Sequence, residues 1–148
     1  MRKAITLLLL AVSAGPAVAS GGLSCSAEDE AVTLEVDAGM SRGMGGALFS
    51  LSGSAAIRDD SVRADLRETE FDLAHRAQYW FDGAGLKLLL YRETGDDAAH
   101  GYVTVRIDAA RSDEEGGFAG DYLVSVYDVE KEDGGGARFS GAVSCVVE

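Results

Sequence analysis

Period-two alternation runs through most of this chain and leaves little choice of fold. Val32, Leu34, Val36 and Ala38 alternate with Thr33, Glu35 and Asp37. Phe49, Leu51, Gly53, Ala55 and Ile57 alternate with Ser50, Ser52, Ser54 and Ala56, and Val103, Val105 and Ile107 with Tyr102, Thr104, Arg106 and Asp108. One apolar and one polar face per segment describes antiparallel strands that are wet on one side. Ala77 to Phe81 and Leu86 to Tyr91 flank Asp82-Gly83-Ala84-Gly85, a hairpin signal. Gly116-Gly117 precedes a strand from Phe118 to Val129, and Gly134-Gly135-Gly136 leads into the last, Phe139 to Val147. The expected fold is all-β, a small antiparallel β-barrel of seven or eight strands with at most one short helix. A two-sheet β-sandwich is the alternative.

Asp59 to Asp72 is ambiguous. Val62 and Leu66 suit a short exposed helix, while Val62, Ala64 and Leu66 also fit a strand; a short helix or irregular crossover is expected there. Gly53, Gly120 and Gly141 interrupt strands and are read as devices that let a sheet bend.

The N-terminus reads as an export signal. Arg2 and Lys3 precede an apolar run from Ala4 to Val12, Pro16 ends it, and Ala17-Val18-Ala19 offers small residues for cleavage after Ala19. The division is therefore a signal peptide at 1–19 and a single β domain at 20–148. The leader's apolar run is too short to span a bilayer, and no later stretch is long enough. Leu23 stands one place too close to Cys25 for a good lipidation signal. The location expected is the periplasm or the secreted fraction. Arg outnumbers Lys ten to three and Ala and Gly abound, as in bacteria with GC-rich genomes. In an oxidising compartment the sole cysteines, Cys25 and Cys145, are expected to form a disulfide. It would clasp the first segment to the last where the sheet closes.

Thirteen basic residues face 25 acidic ones; without Arg2 and Lys3 the balance is 11 against 25, a net charge of −14. Such a surface repels phosphate backbones and anionic lipid heads, which argues against nucleic acid and membrane surfaces and leaves a basic protein or a small ligand as partner. The chain contains no Asn, so it has no N-glycosylation acceptor.

Nothing in the sequence assembles a reaction centre. His75 and His100 are the only histidines and stand 25 residues apart, without zinc spacing. Gly39-Met40-Ser41-Arg42-Gly43 spells Gly-x-Ser-x-Gly, but the element after it reads as a strand and not as the helix of a nucleophile elbow, and a disulfide leaves no thiol for covalent catalysis. Asp128 to Gly134 resembles a calcium loop, but its Gly falls at position 7 instead of 6 and position 12 is Phe139, which leaves an acidic turn. No catalytic residue, metal or cofactor is assigned, and the chain is read as non-enzymatic. The Gly-rich stretch Gly39 to Gly46 contains Met40, Arg42 and Met44 but lacks the Lys and following helix of a phosphate loop. Its plainer use is a hairpin loop whose methionines cover the end of the core; its second is a partner contact, because Met and Gly adapt easily. Tyr79, Trp80, Phe81 and Tyr91 gather at one hairpin, with Trp80 facing away from Tyr79 and Phe81. Met40, Arg42, Met44 and Trp80 are accordingly the candidate partner-binding residues.

In general character an exported, acidic, disulfide-closed β protein resembles the small periplasmic lysozyme inhibitors. Their Ser-Gly-x-x-Tyr signature is not matched: Ser140-Gly141 is followed by Ser144 at the Tyr position, and Ser52-Gly53 by Ala56. No residue role is carried over. The expected function is a periplasmic binding module that contacts another protein through its loops. A carrier of a small apolar or cationic ligand inside the barrel is the alternative, and a hydrolase using His75 or His100 ranks third.

Overall fold

Alternating burial turns the predicted strands into one curled sheet. The computed structural model describes residues 20–41, 46–132 and 135–148; the expected leader at 1–19 lies outside the described residues. In chain order the elements are β1 (Ser20–Glu28), β2 (Val32–Ser41), β3 (Leu48–Ile57), a one-turn helix α1 (Ala64–Arg67), β4 (Glu68–Asp72), a 3-10 turn (Leu73–His75), β5 (Arg76–Phe81), β6 (Gly85–Glu93), β7 (Gly101–Arg111), β8 (Gly117–Asp128) and β9 (Gly136–Val147). All pairings are antiparallel, in the order β4-β3-β2-β1-β9-β8-β7-β6-β5. The result is a nearly closed barrel. Leu34, Val36, Leu88, Leu90, Val105, Ile107 and Val124 fill its interior with almost no exposure. Among the described residues no helix is long and apolar enough to cross a membrane.

Nine strands exceed the seven or eight expected, and strand direction explains the difference. Counted along the sheet from β1 in either sense, β4 and β5 both run opposite to β1, so they run the same way. They are two halves of one advancing path, the first paired with β3 and the second with β6. An up-and-down antiparallel barrel closes only with an even number of strands, and nine become eight when this broken strand counts once. The break is stabilised locally. Asp72 Oδ1 accepts from the Ala74 amide at 2.8 Å, and the Asp72 amide donates to His75 Nδ1 at 3.1 Å. Side chains then carry the sheet across the two gaps that the break leaves. Tyr79 donates its hydroxyl to the Gly46 carbonyl at 2.9 Å on one side, and Arg92 donates to the Glu70 carbonyl on the other.

The first and last strands do pair. Cys25 stands opposite Cys145, and the two form a disulfide with a Cα–Cα distance of 4.0 Å. The Glu148 amide donates to the Gly22 carbonyl, so Gly22–Glu148 and Ser24–Val146 are hydrogen-bonded positions. Cys25–Cys145 between them is a non-hydrogen-bonded pair, where opposing side chains come closest. The disulfide therefore joins the two ends of the described chain, whereas the unpaired edges of the sheet are those of β4 and β5, at the far ends of the strand order. This corrects the expectation that the disulfide clasps the seam.

The crossover from β3 to β4 contains the short helix expected there, α1, in which only Leu66 is buried. Val62 and Leu66, four residues apart, are both buried and plug one end of the barrel. Arg63 fixes the plug with a forked pair to Asp65 at 2.6 and 3.0 Å, a bond to Asp128 Oδ1 at 2.7 Å and one to the Ala99 carbonyl at 2.8 Å. Asp128, expected in a solvated acidic turn, is 5% exposed and also accepts from the Glu130 amide.

At two of the strand glycines the neighbouring atoms leave no room for a side chain. A Cβ on Gly120 would meet the backbone of β7, with Ala109 Cα at 2.6 Å and the Asp108 carbonyl closer still. On Gly141 it would meet the Tyr122 ring, which lies against this strand inside the barrel.

Candidate functional site

Register across the strands gives the outside of the barrel two chemically different halves. On β2, β3 and β4 the outward positions align as Asp37–Ser52–Asp72, Glu35–Ser54–Glu70 and Thr33–Ala56–Glu68. Small residues of β3 form a floor, and carboxylates of β2 and β4 form walls two strand spacings apart, roughly 10 Å. This acidic trough holds a cavity of about 340 Å³ bounded by Glu35, Asp37, Ser52, Ser54 and Glu70. A second cavity of about 470 Å³ shares Asp37 and Ser52 with it and extends toward Ser24 and Glu148. Among the described residues no basic side chain stands within ion-pair distance of Glu35, Asp37, Glu68 or Glu70.

The outward positions of β5 to β8 mix aromatic, aliphatic and basic residues with two aspartates. One row reads Trp80–Lys87–Asp108–Asp121, with Lys87 paired to Asp108 at 2.6 Å. The next reads Gln78–Leu89–Arg106–Leu123. Beyond them Tyr102 stacks on Tyr127 at 5.1 Å between ring centroids, with Tyr91 against Tyr102 at 5.3 Å and His100 against Tyr127 at 5.8 Å. Tyr91 donates to Glu93, and that carboxylate pushes the phenol pKa up to about 12.

The candidate residues separate in this geometry. Met40 is buried, with its sulfur 3.2 Å from the Tyr79 hydroxyl, so it helps close the core at the β5 side. Arg42 and Met44 lie outside the described residues. Trp80 is 49% exposed on the outer face, with its six-membered ring leaning over Gly85. A glycine covered by a cross-strand aromatic ring is a recognised way to shield backbone in a sheet, so Trp80 has a structural task as well as a free surface. His75 caps the strand break and His100 packs among tyrosines, which places the two histidines on different features of the fold. Among the described residues no three His, Cys, Asp or Glu side chains gather as a metal site.

Asp29 and Tyr122 form a further polar pair that alternation alone does not reveal. Asp29 Oδ1 accepts from the Ala31 and Val32 amides at 2.8 and 2.9 Å, and Oδ2 accepts the Tyr122 hydroxyl at 2.6 Å. The Tyr122 bond and then the two amides hold the Asp29 carboxyl below its ordinary pKa. With both oxygens occupied, Asp29 fixes the β1–β2 turn against the barrel interior.

These features define a class: a small antiparallel barrel with one disulfide between its first and last strands, whose two outer halves differ in charge and polarity. No protein-family model, curated protein or solved structure gives a significant match to the chain.

Proposed function

We propose that this chain is an exported, non-enzymatic binding module that contacts a basic protein across the acidic trough of β2–β4 and the loops beside it. The observation carrying this reading is the double wall of carboxylates, Glu35 and Asp37 facing Glu70 and Asp72, over a floor of serines. Like charges held on one rigid face favour the arrival of a cationic surface and speed its encounter. A small-ligand carrier would need space inside the barrel, where Leu34, Val36, Leu88, Val105 and Ile107 are packed.

The test is cross-linked capture from the native extract with the purified domain, run beside the triple variant Glu35→Lys, Asp37→Lys, Glu70→Lys. The proposal expects a reproducible basic protein whose capture weakens with added salt, as exposed charge pairs do, and is lost in the variant. Capture that survives charge reversal would overturn it.

A further inference from the structure

The outside of β5–β7 differs in character from the acidic trough and carries a cleft of its own. Trp80, Gln78, Lys87, Leu89, Arg106 and Asp108 bound an open cleft of about 540 Å³ on the outside of β5–β7. Three of its features point to one kind of ligand. Trp80 keeps about half its surface in solvent while its edge rests on Gly85, so the indole is fixed in place and still offers area to a ligand. Gln78, Lys87 and Asp108 surround the apolar floor of Leu89 with an amide, an ammonium and a carboxylate, and the Lys87–Asp108 pair at 2.6 Å sets two of these. Arg106 is exposed and, among the described residues, has no hydrogen-bond or ion-pair partner, although the chain has nearly twice as many acidic as basic residues.

From this cleft we propose a binding site for a short acidic saccharide, one that carries a ring carboxylate. The negative face of an indole attracts the slightly positive C–H face of a sugar ring. The amide and charged groups around Leu89 match hydroxyls, which both donate and accept. The planar fork of the Arg106 guanidinium is suited to a carboxylate, which it can hold through two parallel bonds. A fatty acid would satisfy the arginine and meet apolar lining from Ala77, Trp80 and Leu89, but in a cleft open to water, where a lipid tail needs an enclosed apolar wall. An acidic peptide would satisfy the arginine and leave the indole without a matching ring. The site is independent of the acidic trough, which lies on other strands.

Trp80 is the chain's only tryptophan, so its emission reports on this cleft alone. The experiment titrates the folded domain with tetragalacturonate, with a neutral cello-oligosaccharide of equal length, with a tetraglutamate peptide and with a medium-chain fatty acid. The expected result is a saturable change in Trp80 emission with tetragalacturonate at least tenfold tighter than with the other three. Arg106→Gln, at an exposed position, should keep the far-UV circular dichroism of the parent and lose that tenfold preference. Trp80→Leu should lose the binding heat in calorimetry, and the trough variant Glu35→Lys, Asp37→Lys, Glu70→Lys should bind as the parent does. No emission change with tetragalacturonate, equal response to the peptide or fatty acid, or an Arg106→Gln protein that binds unchanged would each overturn the assignment.

Discussion

At Gly120 the backbone of β7 occupies the volume that any side chain would need. Gly22 on β1 has nothing within 4 Å of its would-be Cβ. Gly120→Ala should therefore destabilise the domain by about 1–3 kcal/mol, as overpacking does, and Gly22→Ala should stay within roughly 0.5 kcal/mol of the parent. Urea midpoints of the two variants measured side by side check this. Asp29 supplies a pH-dependent counterpart. Its folded pKa lies below the ordinary 3.8, chiefly because Tyr122 donates to it. The unfolded chain therefore binds a proton there first. The stabilisation is present above the ordinary carboxylate range and is lost as pH falls through the lowered folded value. Tyr122→Phe should shrink the difference between urea midpoints at neutral pH and at about pH 3; an unchanged difference would show that other carboxylates dominate acid sensitivity.

Among the elements, the crossover between β3 and β4 is held by a single arginine. Arg63 ties α1 to Asp128 on β8 and to the Ala99 carbonyl before β7, so one guanidinium holds three separate loops. Arg63→Met keeps the aliphatic stem and removes the charge, leaving Asp128 buried with only the Glu130 amide as partner. The expected loss is about 1.5–3 kcal/mol, typical of a hydrogen bond to a charged group, with faster amide exchange localised at 58–67 and 94–100. Strands β2, β3, β7 and β9 were legible in sequence because each has at least three inward positions in phase. Strand β4 was not, since its inward face is only Thr69 and Phe71 between Glu68, Glu70 and Asp72. The one-turn helix was expected, but the burial of Val62 and Leu66 there was not. Its charged residues suggested an exposed surface element, and only the three-dimensional path turns Val62 and Leu66 into the end of the barrel. Alternation set Trp80 apart from Tyr79 and Phe81 but did not say which of the two faces lies outside. The acidic trough could not, because its walls lie on β2 and β4 and meet only when both registers with β3 are known.

In the molecule as a whole, one covalent bond spans almost the full described chain. Cys25 and Cys145 are 120 residues apart in sequence and directly opposed in the sheet. Closing so long a loop removes conformational freedom from the unfolded chain and stabilises the fold by about 4–5 kcal/mol in the chain-entropy model. Unfolding in reductant should shift the urea midpoint downward by a matching amount, while strand content stays unchanged under native conditions; a midpoint indifferent to reductant would contradict this. The adjacency of Gly22 and Glu148 has a second use. A circularly permuted gene that links these ends and opens the chain at the Asp82–Gly85 hairpin would make the β1–β9 neighbours local in sequence. In that protein the same two cysteines would enclose a loop of a few residues, and the covalent link that matters most in the natural order would become almost redundant.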